Sequence, residues 1–199
     1  MKKYNLNFLY PVILFLLSFG LTVFILNYYY EFTANPDISK SVNLSDIQFI
    51  DLQNKNVNLN LEKNNTVNFL FLGYIHCEYI CPISLKNIQY AIEELSAEQR
   101  KKINAYFISI DSKRDTSEKL KKFMINFNNQ IHALRVDEKN MIKLQKILHA
   151  ESEIYSSSQG YDIKHNNVIY LFNNQFEIIV RLPGNISVKA ISYEVKKVL

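Results

Sequence analysis

The chain contains two cysteines, Cys77 and Cys81, separated by three residues. A thiolate can attack a disulfide, and it can also bind a soft metal ion. The close pair therefore indicates redox or metal chemistry, with a single structural disulfide as the alternative. Because two cysteines cannot build a disulfide framework for 199 residues, we expect the fold to depend on a hydrophobic core.

The segments on either side of the cysteines predict where the sulfur atoms lie. Residues 67–72 are an apolar, β-rich run of the kind that forms a buried central strand, and the run ends at Gly73. Pro82 is suited to the first position of a helix. The free N–H groups at a helix N-terminus favour negative charge and lower the pKa of a thiol. We therefore expect both sulfurs to have thiolate character.

The chain after residue 46 alternates between strand and helix patterns. Apolar runs predict further strands at 47–52, 57–61, 103–110, 131–136, 168–172 and 176–182. Helical spacing predicts helices at 82–101, 118–127 (capped by Thr116), 139–149 (capped by Asp137) and 188–199, with a polar loop at 151–160. This order predicts an α/β protein with a central mixed sheet, parallel at its core and flanked by helices. A cysteine pair where a central strand meets a helix is the thioredoxin-like arrangement.

An apolar segment near the N-terminus predicts a membrane anchor. As a helix, residues 8–26 would span roughly 29 Å at about 1.5 Å per residue, close to the hydrocarbon thickness of a bilayer. No charge interrupts the sequence between Lys3 and Glu31, and residues 28–30 are tyrosines suited to a membrane interface. A cleavable signal peptide is the alternative, but its apolar region is usually about 7–15 residues long and ends in a small-residue site, which this sequence lacks.

These patterns predict three parts: a transmembrane anchor at 1–30, a tether at 31–45 and a thioredoxin-like domain at 46–199. Lys2 and Lys3 mark the cytoplasmic side, so the domain is expected on the outer side of the membrane. The composition, 48% hydrophobic and 21% charged, is that of a globular protein. The net charge is only +4 and no basic stripe is interleaved with aromatics, so nucleic-acid binding has little support.

Three segments resemble those of the Sco/SenC family, which are membrane-anchored, thioredoxin-like copper chaperones for cytochrome c oxidase assembly. They are Gly-Tyr-Ile-His-Cys-Glu-Tyr-Ile-Cys-Pro at 73–82, Ser-Ile-Asp-Ser-Lys-Arg-Asp-Thr at 109–116, and Tyr-Asp-Ile-Lys-His at 161–165 with Ile-Tyr-Leu at 169–171. With the predicted anchor, the resemblance covers nearly the whole chain. The sequence departs from the family pattern at Glu78 and Ser112, where the family has proline, and at Asn166, where it has serine.

The resemblance implies that Cys77, Cys81 and His165 bind copper. Copper(I) prefers thiolate ligands, and imidazole suits copper in either oxidation state. The resemblance also implies a single-pass protein of the inner membrane, with its domain in the periplasm, or in the intermembrane space of an organelle. The implied partners are the copper-bearing subunit of cytochrome c oxidase and a protein that reduces the cysteine pair.

Two enzyme functions are the alternatives to a copper chaperone. In a thiol–disulfide oxidoreductase, Cys77 would attack and Cys81 would resolve, keeping the dithiol of a target copper site reduced. The same fold could host a peroxide-reducing thiol enzyme, but the sequence has no separate peroxidatic-cysteine motif. His165 favours the copper chaperone, because dithiol exchange needs no distant histidine.

Other residues of the motifs carry weaker expectations. His76 is an alternative ligand, although its side chain is expected to point away from that of Cys77. Asp111, Arg114 and Asp115 are expected to cap and pin a loop.

Overall fold

The computed structural model describes residues 9–34, 42–59, 67–158 and 160–199. The chain divides into two compact units, Met1–Ile38 and Ser39–Leu199. In the first unit, helix α1 covers Leu9–Ala34, and its side chains from 10 to 26 are exposed.

The transmembrane span predicted for residues 1–30 is not found. Within the described ranges, no helix combines the length and the apolar character needed to cross a membrane. Lys2, Lys3 and residues 35–41 of the predicted tether lie outside the described residues.

The second unit is built on a seven-stranded sheet with the order β2-β1-β5-β4-β3-β8-β9. Its strands are β1 (Phe49–Ile50), β2 (Asn56–Val57), β3 (Val67–Gly73), β4 (Ile103–Ser109), β5 (Ile131–Arg135), β8 (Val168–Phe172) and β9 (Ile178–Pro183). Strands β3, β4 and β5 are parallel, while β8 pairs antiparallel with β3 and with β9. This mixed sheet with a parallel core confirms the predicted thioredoxin-like α/β fold.

The described residues of this unit also form five helices: α2 (Ile80–Glu93), α3 (Ala97–Arg100), α4 (Ser117–Met124), α5 (Glu138–Leu148) and α6 (Val188–Lys196). Every residue of β3 is buried, so both faces of the central strand are covered. Apolar side chains of α2, α4 and α6 form one core with β3 and β4, which includes Leu85, Ile88, Leu120, Ile191 and Val195.

Local capping explains where the helices begin. The Thr116 side chain accepts a hydrogen bond from the Lys119 N–H and caps the start of α4. The Asp137 side chain accepts one from the Asn140 N–H and caps the start of α5. Both caps are as the sequence predicts. The helix predicted at 82–101 is in fact two helices, because Ser96 forms a capping box with Gln99 and starts α3.

A second, two-stranded sheet consists of β6 (Ser152–Ser157) paired antiparallel with β7 (Gly160–His165). The prediction of a polar loop at 151–160 is therefore wrong. Five of the six residues of β6 are exposed and the sixth is half-buried. A strand without a buried face lacks the alternation of apolar and polar residues by which strands are recognised.

Gly73, at the end of β3, leaves room for the sulfur of Cys81. A Cβ atom at this position would lie 2.9 Å from the Cys81 Sγ and 2.9 Å from Cε2 of Phe107. Because both neighbours are fully buried, they cannot move aside freely.

We therefore expect Gly73→Ala to lower the free energy of unfolding by about 1–3 kcal/mol through overpacking, as measured by urea denaturation. Gly20→Ala is the matched control, since a Cβ there meets nothing within 4 Å. Equal stability of the two variants would contradict the predicted clash.

Candidate metal centre

The two cysteine side chains and the distant His165 meet at the carboxyl end of β3. Cys77 lies in the turn after β3, Cys81 in the first turn of α2 and His165 at the end of β7. Their ligand atoms all lie within 4.8 Å of one another, and the Cys81 Sγ is 3.7 Å from the His165 Nε2. The structure thus brings together the three residues proposed as copper ligands, while their role as ligands stays a prediction.

The two thiols have unequal pKa values. A hydrogen bond between the two sulfurs, together with the N–H groups of Cys81 and Ile80, lowers the pKa of Cys77 to about 4 despite burial. The same hydrogen bond, burial and the charge of Cys77 raise the pKa of Cys81. The raised pKa of Cys81 runs against the expectation that both sulfurs have thiolate character, which is kept for Cys77 alone.

The imidazole of His165 is oriented by a backbone contact. Its Nδ1 lies 2.9 Å from the carbonyl oxygen of Asn166, which can only accept, so Nδ1 carries the proton. The Nε2 atom, on the side of the ring that faces the sulfurs, therefore keeps a free lone pair, as a metal ligand requires. The Asn166 amide oxygen also accepts the Glu151 N–H, and the Asn166 N–H donates to the Glu151 oxygen, which closes the base of the β6–β7 hairpin.

Tyr74 connects the cysteine turn to this hairpin. Its hydroxyl donates to the carboxylate of Asp162 on β7, and its ring meets the His165 ring edge-on at a centroid distance of 5.7 Å. Asp162 also accepts from the hydroxyl of Tyr155 on β6 at 3.1 Å. Burial and the hydrogen bond to Asp162 raise the pKa of Tyr74, so this hydroxyl stays a donor at neutral pH.

A second set of contacts pins the hairpin to the loop after β4. Arg114 forms an ion pair with Asp111, donates to the Tyr161 carbonyl at 2.6 Å and lies 3.7 Å above the Tyr161 ring. The Tyr161 hydroxyl donates to Asp111 at 2.7 Å. Asp111 and Arg114 therefore pin a loop, as expected, and they also hold the hairpin, which the sequence did not predict.

His76 lies away from the sulfur pair. Its Nδ1 is 3.5 Å from Oδ1 of Asp115, and the group of ligand atoms around Cys77 and Cys81 does not include it. Asp115 is fully buried and accepts hydrogen bonds from the Ser109 hydroxyl and the Ile75 N–H. Asp115 therefore stabilises the turn that precedes Cys77.

Comparison with known proteins shows the family of this chain. A family model described as SCO1/SenC matches residues 40–199, most of the chain. This chain belongs to the SCO1/SenC family. Among curated proteins of similar sequence, the SCO2-like protein of Rickettsia typhi is 33% identical over 128 residues, 63% of each chain. Protein SCO2, mitochondrial, of Saccharomyces cerevisiae is 32% identical over 119 residues, 58% of this chain and 40% of the yeast protein.

The SCO1/SenC chain thus spans less than two thirds of either relative. Among solved structures, Bradyrhizobium japonicum ScoI with copper bound superposes with a TM-score of 0.67 at 23% identity, covering 77% of this chain and 97% of that one. At this identity the likeness establishes the shared fold.

Proposed function

We propose that this SCO1/SenC protein binds copper(I) through Cys77, Cys81 and His165. The convergence of two sulfurs and one imidazole nitrogen within 4.8 Å is the observation that carries the proposal. Thiolates select copper(I), and the Nε2 of His165 is free to bind. The copper-bound Bradyrhizobium structure, which has the same fold, supports copper as the metal.

The site suits a carrier that gives its copper away. A closed structural metal site has four ligands, whereas this one offers three, and Cys77 is half-buried rather than enclosed. A partner's ligand can therefore approach the metal from the side of Cys77. We propose that copper is passed to the copper-bearing subunit of cytochrome c oxidase during its assembly.

Metal analysis of the reduced full chain tests the copper site. We expect one copper(I) per chain in the natural sequence, and no tightly bound copper in Cys77→Ser, Cys81→Ser or His165→Ala. Retention of one tightly held copper(I) by any of these variants would remove that residue from the site. Oxidation to the Cys77–Cys81 disulfide should also block uptake, because it leaves no thiolate to bind the metal.

The unequal thiols favour one alternative, a thiol–disulfide oxidoreductase. The thiolate of Cys77 would attack a target disulfide to form a mixed disulfide. Cys81, once deprotonated, would then attack the Cys77 sulfur, which releases the target as a dithiol and leaves this chain oxidised. A protein that reduces the pair would complete the cycle. Failure of the reduced natural chain to reduce a small disulfide would contradict this function.

Tyr74→Phe tests whether the tyrosine positions His165. The change removes the hydrogen bond to Asp162 and keeps the ring, so we expect the copper(I) affinity to fall roughly tenfold, the lower end of effects seen for groups that orient a metal ligand. Competition with a copper(I) chelator measures the affinity. Tyr79→Phe, at a tyrosine that is 73% exposed, is the control. An unchanged affinity in Tyr74→Phe would contradict this role.

We also propose that the protein works at a membrane, with the copper domain in the periplasm or the intermembrane space. The exposed side chains of α1 support membrane association, because thirteen of them between Tyr10 and Leu26 are large and apolar. Extraction of the full chain from membranes with alkaline carbonate and then with detergent tests this. Release into carbonate alone would contradict a stable association.

A further inference from the structure

A second group of potential ligands lies beside the cysteine turn and contains no sulfur. The Nδ1 of His76 and one carboxylate oxygen from each of Asp111 and Asp115 lie within 4.8 Å of one another. His76 follows β3, and the two aspartates follow β4, which is its parallel neighbour. Polar groups from adjacent parallel strands are thus gathered at the same sheet edge.

Asp115 has an oxygen without a partner in this group. Its side chain is 0% exposed, and its Oδ2 accepts from Ser109 at 2.7 Å and from the Ile75 N–H at 3.0 Å. Its Oδ1 is buried, makes no hydrogen bond and faces the His76 Nδ1 at 3.5 Å. An unsatisfied buried carboxylate oxygen is costly, so this atom is a ready acceptor for a cation.

Asp111 is partly engaged but retains binding capacity. Its Oδ1 accepts from the Arg114 N–H and the Tyr161 hydroxyl, while its Oδ2 pairs with the Arg114 Nε. A carboxylate has about four lone-pair positions, so one on Oδ2 is left. The guanidinium of Arg114 neutralises the carboxylate of Asp111. The carboxylate of Asp115 has no full counter-ion in the group.

We propose that His76, Asp111 and Asp115 form a second metal site, for a divalent cation of the zinc or copper(II) class. One imidazole nitrogen and carboxylate oxygens suit such ions, whereas copper(I) prefers the neighbouring sulfurs. The His76 side chain is 37% exposed, so the ion enters from solvent and keeps water in its remaining coordination positions. This site is separate from the copper(I) site and does not depend on it.

Cobalt(II) is the probe, because its visible spectrum reports the ligands. The full chain carrying Cys77→Ser and Cys81→Ser removes the sulfurs, so any cobalt band then comes from nitrogen and oxygen ligands alone. We expect one cobalt(II) per chain, displaced by zinc. Adding His76→Gln should weaken cobalt binding at least tenfold, whereas His132→Gln, at an exposed histidine of β5, should leave it unchanged.

Three results would overturn the second site. They are failure of the cysteine-free chain to bind one cobalt(II), binding that survives His76→Gln, and loss of binding on His165→Ala, which would assign the ion to the proposed copper site. Asp115→Asn is a further variant, with circular dichroism to check folding, since Asp115 also holds Ser109 and Ile75. Because the sulfurs are absent throughout, failure of the copper(I) proposal would not change any of these outcomes.

Discussion

Replacing His165 with alanine should abolish tight copper(I) binding and leave disulfide exchange largely intact. The imidazole is one of three proposed ligands, and changes to groups that only orient a ligand already cost about 10–100-fold in affinity. We therefore expect the dissociation constant to rise by roughly 100-fold or more. The attacking and resolving sulfurs both remain, so reaction with a small disulfide should proceed at a similar rate. Chelator competition and a disulfide-exchange assay on the same preparation measure the two effects.

His132→Ala is the control for this experiment. His132 lies on β5 with its side chain exposed, and it is not part of either group of potential ligands. If copper affinity survives His165→Ala unaltered, the metal site as proposed is wrong. Loss of both copper binding and exchange would instead show that His165 activates the thiols.

Copper(I) uptake near neutral pH should release one proton from the thiol pair. Cys77, with a pKa of about 4, is already a thiolate, whereas Cys81 has a raised pKa and must lose its proton to bind. Between about pH 7 and 8.5 the affinity should therefore rise tenfold per pH unit. Two thiols of ordinary pKa would release two protons, and the rise would be roughly 100-fold per unit. Below the pKa of Cys77 both sulfurs are protonated, so binding weakens more steeply as the pH falls.

Proton release can be followed with an indicator dye in weakly buffered solution, alongside chelator competition at several pH values. Reaction with iodoacetamide at pH 6 gives an independent check, since only a thiolate reacts. We expect Cys77 to be alkylated and the buried Cys81 to be spared. Release of two protons, or equal alkylation of the two cysteines, would contradict the unequal thiols.

Features that depend on neighbours in sequence were predictable. Thr116 and Asp137 were predicted as helix caps because capping joins residues three apart. The apolar run of β3 predicted the central strand, since a strand that is buried on both faces is a nearly continuous apolar run. The three proposed ligands came from the family resemblance, and the structure brings them to one place.

Features that depend on distant contacts were not predictable. The hydrogen bond to Cys77 and burial beneath the rest of the fold raise the pKa of Cys81, whereas the helix N-terminus considered alone predicts a lowered value. Strand β6 exposes nearly all its side chains, so no periodicity identifies it. The contacts that hold it in place, from Tyr74 and Arg114 to β7, join residues that are 88 and 47 positions apart in the chain.

Within the part of the chain that the structure describes, the hairpin that carries His165 shares no strand pairing with the seven-stranded sheet. Its attachment depends on side chains such as Tyr74 and Arg114, while the two sulfurs are attached to the core through β3 and α2. The amide protons of β6 and β7 should consequently exchange with deuterium faster than those of β3, because opening the hairpin leaves the main fold intact. Opening of the hairpin therefore moves His165 away from the two sulfurs without loss of global stability.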